Sequence, residues 1–180
     1  MRPQSARDSE HSNNLYMEVT MASDYLLEID GIKGESKDSK HKDTIEIESF
    51  SWGVINAGSH GAGAGGGAGK ASFQDIHFTS PVGKASPTLS LFCANGKHIK
   101  KAVLYVRKQG GDQQDYYIVT LEDLLVSSYQ SGGSEASRSL PTDQFSLNYA
   151  KIKYEYKAQK QDGSLEAPVT MTWDIKAGKA

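Results

Sequence analysis

From Tyr25 onward, apolar and polar residues alternate in short segments separated by clusters of Gly, Ser and Asp. That period of two predicts a mainly antiparallel β-domain. The candidate strands are residues 24–29, 44–52, 70–79, 99–108, 116–128, 143–158 and 169–175. In 44–52, alternation places Ile45, Ile47, Ser49 and Ser51 on one face and Glu46, Glu48, Phe50 and Trp52 on the other. In 143–158, Phe145, Leu147 and Tyr149 hold one parity while Ile152, Tyr154 and Tyr156 hold the other. The slip predicts a bulge near Ala150 and Lys151, which would twist the strand and let it turn a corner. A single short helix is predicted over 87–94, with Ser86 as N-cap, Pro87 at the first helical position and Asn95-Gly96 as the stop. One short helix among these strands gives a β-barrel or sandwich with a helical lid. Residues 1–20 are polar and aperiodic and are expected to form a disordered leader, with Met21 an alternative start; 21–180 then make one domain.

Composition narrows the function classes. With 37% apolar residues, a 180-residue chain can bury a sizeable core without disulfides or metal. Its 20 basic and 22 acidic residues are dispersed, so no basic face is available for nucleic acid. The lone Cys93, among Leu89, Leu91, Phe92 and Ala94, reads as a small buried hydrophobe in a reducing compartment. No apolar run has the length of a membrane span, and the first 20 residues hold no signal-peptide apolar region, so neither a membrane anchor nor Sec-type export is expected.

The glycine-rich stretch 57–69, AGSHGAGAGGGAG, holds seven of the chain's 18 glycines, and Gly61, Gly63 and Gly66 match G-x-G-x-x-G. A dinucleotide site needs a helix directly afterwards, and here a strand pattern follows. A P-loop fails too, since Ala64 stands where its first glycine belongs and Ala71 where Ser or Thr would hold magnesium. Ordering thirteen such residues would cost on the order of 13 to 26 kcal/mol of backbone entropy, which favours a mobile surface loop in an isolated subunit. A neighbouring subunit can supply the partners that order it, since small side chains permit close backbone approach. The five histidines, His11, His41, His60, His77 and His98, lack metal-ligand spacing, so no metal site or cofactor is expected. No G-x-S-x-G or Cys/His context suggests a nucleophile. The mixed-charge segment 31–43, GIKGESKDSKHKD, reads as a solvated connection between strands, with register for a subunit contact as the alternative use of its charges. The aromatics Phe50, Trp52, Tyr105, Tyr116, Tyr117, Tyr149, Tyr154, Tyr156 and Trp173 read as core and cross-strand packing, some of them available for a subunit interface.

Four segments carry a family resemblance: DYLLEIDGIKGESKDSKHKDTIEIESFSWG, then GKASFQDIHFTSPVGKASPTLSLFCANGKHIKKAVLYVRK, then YYIVTLEDLLVSSYQSGG and FSLNYAKIKYEYKAQKQDGS. In order and spacing, from Met21 to about Lys176, they resemble the haemolysin-coregulated protein (Hcp) family of type VI secretion systems. The resemblance implies a two-sheet antiparallel β-barrel with one short flanking α-helix and an extended glycine-rich loop. It implies a non-enzymatic subunit that forms six-membered rings, stacks them into a hollow tube inside the sheath, and carries small effector proteins in the lumen. Its other partners would be the sheath, spike and baseplate. Such a subunit would wait in the bacterial cytoplasm and be secreted by the machine itself. The resemblance assigns ring stacking to the loop, with Gly58, His60, Gly61, Gly63, Gly65, Gly66, Gly67 and Gly69, and points to Ser49 and Ser51 as candidates for the lumen face. The leader departs from the family pattern. From the residues alone, the rival reading is a freestanding binding module, a lectin-like or peptide-binding β-sandwich.

Overall fold

In the computed structural model, residues 23–56, 70–108, 113–135 and 140–180 are described. The leader 1–20 and the glycine-rich stretch 57–69 lie outside them. Among the described residues ten strands and one helix follow in the order β1 (Ser23–Ile29), β2 (Ile45–Ile47), β3 (Ser49–Ser51), β4 (Val54–Asn56), β5 (Ala71–Phe73), β6 (Ile76–Pro81), α1 (Ser86–Asn95), β7 (Ile99–Lys108), β8 (Asp115–Gly132), β9 (Thr142–Tyr156) and β10 (Val169–Asp174). One antiparallel sheet runs β2-β1-β7-β8-β9-β6-β3, with β10 on β9, while β4 and β5 form a separate hairpin.

The segment 45–51 closes this sheet. β2 and β3 stand at opposite ends of the strand order, yet only Glu48 separates them in the chain. β2 pairs with β1, β3 pairs with β6, and the Glu48 N–H donates to the Thr79 carbonyl at 2.8 Å. The two ends are thereby drawn into a nearly closed barrel, the mainly β architecture expected from the sequence. Closure also corrects the predicted facing of 44–52. Ile45 and Ile47 are buried, Glu48 and Ser49 are both exposed, and Phe50 and Trp52 pack on the core. Parity inverts at Glu48–Ser49 because the chain changes partner strand there, so Ser49 and Ser51 do not share a face with the isoleucines.

A matching inversion occurs in the β8–β9 hairpin. β9 buries Phe145, Leu147 and Tyr149, then Ala150 and Ile152; β8 buries Val119 and Leu121, then Leu124 and Val126. The register between them is unbroken there, with Glu122 opposite Lys151 and Leu124 opposite Tyr149. Asp123, at φ 55, supplies the turn in β8, and on its other edge β9 exchanges β6 for β10. The expected parity slip is therefore present, but without an extra residue in β9. Register shifts occur instead between Val126 and Ser128, and between Val106 and Arg107 where β7 meets β8.

The core gathers Leu27, Ile76, Leu104, Leu121, Leu124 and Leu147, each no more than 2% exposed, and α1 adds Leu89 and Phe92. Each fully buried side chain of this size contributes about 1.5–3 kcal/mol. The helix begins one residue earlier than expected, with Ala85 at the N-cap and Ser86 in its first turn. The Ser86 hydroxyl does not cap: it accepts from the Gly83 N–H at 2.9 Å and donates to the buried Asp143. The expected stop is present, Gly96 ending the helix at φ 63. Cys93 is half-buried, being only partly turned to the core.

Candidate functional surface

Four neighbouring strands, β3, β6, β9 and β8, turn one face away from the core. Because side chains alternate along each strand, residues on that face align across the strands in two ladders. One runs Ser51, His77, Ser146, Ser128; the next runs Ser49, Thr79, Gln144, Gln130. At about 4.8 Å between strands, each ladder spans roughly 14 Å. The ladders border an open groove of about 490 Å³ whose floor includes Phe50, Phe78 and Phe145. Phe78 and Phe145 stack at 5.3 Å between ring centroids, which fixes the floor beneath the polar residues.

Neither ladder contains a Lys, Arg, Asp or Glu. Ser146, buried, shares its hydroxyl with Ser127 at 2.8 Å and Ser128 at 2.5 Å. Asp75 is the nearest acidic residue on β6's approach to the face, and its carboxylate accepts from Ser127 at 2.6 Å and from the Asn148 amide at 2.7 Å. The arrangement offers hydroxyls, amides and one imidazole, with no fixed charge to select a partner of one sign.

A second surface is the β4–β5 hairpin, paired through Val54–Phe73, Ile55–Ser72 and Asn56–Ala71. Val54 is 49% and Ile55 56% exposed, so apolar side chains project on both faces of the ribbon. Such a two-stranded ribbon is marginal in water by itself. The glycine-rich stretch joins these two strands in sequence.

The segment 31–43, expected to be a solvated connection, is instead fastened to the barrel. Ile32, Gly34 and Ser36 are buried on its inner parity. Gly34 approaches the Thr44 backbone so closely that a Cβ would lie 2.2 Å from the Thr44 carbonyl oxygen. Arg107, 4% exposed, donates to Asp38 through Nη2 and reaches Asp24 at 3.4 Å. The hydrogen-bonded guanidinium holds the Asp38 carboxyl far below the usual carboxylate range, against the opposing effect of burial. Asp38 in turn raises Arg107. Next to this pair, His41 Nε2 lies 3.1 Å from both Asp115 oxygens, and its ring rests 4.2 Å from that of Tyr105. Burial first, then the charge of Glu28, pushes Tyr105 up to about 12. Lys33 keeps to the solvent, 3.7 Å from Asp43.

The structure thus brings Ser49 and Ser51 together on the polar face, while Gly58, His60, Gly61, Gly63, Gly65, Gly66, Gly67 and Gly69 lie outside the described residues. His77 is in the groove; His98 pairs with Asp123, beside Lys176. Among the described residues no three His, Cys, Asp or Glu side chains cluster as metal ligands, and no helix is long and apolar enough to cross a membrane. Sequence reasoning missed Thr79, Ser128, Gln130, Gln144 and Ser146 as neighbours of the two serines. Their outward parity was legible in each strand; the order β3-β6-β9-β8 that aligns them was not. The expected aromatic packing is present: Tyr25, Phe50, Tyr117, Tyr154 and Trp52 make a chain of ring contacts, and the Trp52 indole donates to the Tyr117 hydroxyl at 2.9 Å.

Together these features define a nearly closed antiparallel β-barrel with a helix packed on it, a hairpin that exposes apolar side chains, and two polar ladders without fixed charge. The family described as type VI secretion system effector, Hcp, matches residues 26–156. Protein hcp1 of Pseudomonas aeruginosa is 42% identical over 158 residues, covering 87% of this chain and 97% of that protein. Among solved structures, a type six secretion system protein superposes with TM-score 0.83 at 29% identity, covering 88% of this chain and 99% of that one. Hcp1 from Salmonella typhimurium superposes with TM-score 0.73 at 35% identity, with the same coverage. The chain belongs to the Hcp family of type VI secretion proteins.

Proposed function

We propose that this chain is a non-catalytic subunit of the inner tube of a type VI secretion system. Six copies close a ring, and rings stack into a hollow tube within the sheath, capped by the spike and seated on the baseplate. The subunit waits in the bacterial cytoplasm and leaves through the machine with effector proteins in the lumen. The observation that carries this reading is the double ladder of uncharged polar residues around Ser49 and Ser51. A lumen that must both hold and release varied cargo is suited by many weak hydrogen-bonding contacts repeated in each subunit. The exposed Val54 and Ile55 support an axial role for the β4–β5 hairpin, with the glycine-rich stretch extending it toward the next ring. Lateral contacts close a ring and saturate, whereas axial contacts propagate.

Size-exclusion chromatography with light scattering, followed by negative-stain microscopy, tests the assembly. Rings of about six subunits with an open centre are expected. A monomer that persists at high protein concentration overturns the tube reading.

A further inference from the structure

His77 is the one ionisable side chain in the two ladders of the candidate cargo face; Tyr129, which also lines the groove, donates its hydroxyl to Asp143. His77 is exposed, and it lies opposite Ser51 on one side and Ser146 on the other. Its neighbours across β3, β9 and β8 are serines and glutamines, and Thr79 stands two residues on along β6. Among the described residues it makes no hydrogen bond or ion pair, unlike His41 and His98, which are matched to Asp115 and Asp123. Of the carboxylates flanking the face among the described residues, Asp75, just ahead of β6, is engaged by Ser127 and Asn148, and the exposed Glu48 stands beside Ser49. Among the described residues no Lys or Arg lines the groove.

An imidazole changes charge between about pH 5 and 8. Neutral, His77 adds one more hydrogen-bonding group to an uncharged surface. Protonated, it places an unpaired cation at the centre of that surface, where the flanking hydroxyls and amides cannot neutralise it. We propose that His77 makes the cargo face selective for acidic polypeptide surfaces in its protonated state and indifferent to charge in its neutral state. This rests on the cargo-face reading above and adds to it a partner chemistry and a pH dependence. Repetition of the face in each subunit multiplies the effect on a cargo that touches several copies.

The test uses the full chain, sized to establish its assembly state, and a fluorescein-labelled hexaglutamate peptide, with hexalysine as the opposite-charge control. Binding is read by fluorescence anisotropy at about pH 5.5 and about pH 8. Wild type is expected to bind hexaglutamate at least about threefold more tightly at the lower pH and to show no such gain for hexalysine. His77→Gln, which keeps a polar side chain, should lose the pH dependence; His77→Lys should bind tightly at both values. A pH dependence that survives in His77→Gln assigns the effect to another group and overturns the proposal. So does wild-type binding that is flat with pH. Rings with flat binding overturn the role of His77 alone. Monomers whose binding still follows His77 overturn the ring reading and leave this inference standing.

Discussion

Arg107 shows how a single buried charge organises a surface segment. Its guanidinium is almost fully enclosed, with Asp38 on one side and Asp24 on the other, and its Nη1 has no hydrogen-bond partner among the described residues. Replacing two such charges by apolar groups can be neutral, but removing one partner strands the other. Asp38→Asn is therefore expected to destabilise the protein by about 3 kcal/mol, measured by denaturant unfolding at neutral pH and fixed protein concentration. The folded-state pKa of Asp38 is depressed, so its contribution is fully present above the unfolded carboxyl value and is lost as pH falls toward the folded one. The gap between wild type and Asp38→Asn should stay constant above about pH 5 and narrow progressively below about pH 4. A gap independent of pH down to strong acid would show that the loop is held by its backbone bonds, Gly34 to Asp43 and Ser36 to Thr44, and not by the ion pair.

At the scale of elements, the sequence revealed strands where alternation is local, and misled where a strand changes partner. β1 and β7 fall within a residue of the expected bounds. Alternation predicts one strand with one pair of faces over 44–52, yet the segment serves two ends of the sheet and inverts at Glu48–Ser49. Residues 70–79 likewise divide at Gln74–Asp75, since β5 pairs with β4 while β6 pairs with β3 and β9. Partner identity is set by contacts distant in sequence, which a period of two does not encode. The anchoring of 31–43 was invisible for the same reason, its partner Arg107 lying 69 residues from Asp38. The β4–β5 hairpin now carries its own expectation. Ile55 is 56% exposed on a ribbon separate from the main sheet, so Ile55→Asp should change unfolding stability by no more than about 0.5 kcal/mol. Negative-stain images of the variant should show single rings and few stacks. Stacks of wild-type length would remove the hairpin from the axial contact.

At the scale of the whole molecule, the closed barrel separates a rigid scaffold from the surfaces it presents. Ser51 is exposed on β3, opposite His77, and its outward parity keeps it away from the core beneath Phe50 and Phe78. A substitution there should leave the barrel intact and alter only what the face touches. In the proposed six-membered ring small local changes become large: a loss of about 0.3 kcal/mol at each of six engaged copies sums to about 1.8 kcal/mol, roughly a twentyfold weaker complex. Ser51→Arg would place one fixed charge per copy in ladders that hold no Lys, Arg, Asp or Glu, and for a cargo with basic or apolar contact surfaces the loss per copy should be at least of that size. For such a cargo the expected outcome is rings of unchanged size and melting temperature, with its co-purification reduced at least about tenfold. Ser51→Thr, which keeps the hydroxyl, should retain most of the binding and so separates a contact effect from a packing effect. Cargo recovery that is the same for Ser51→Arg and wild type, with rings present in both, would move the cargo surface away from β3 and the Ser51 ladder altogether.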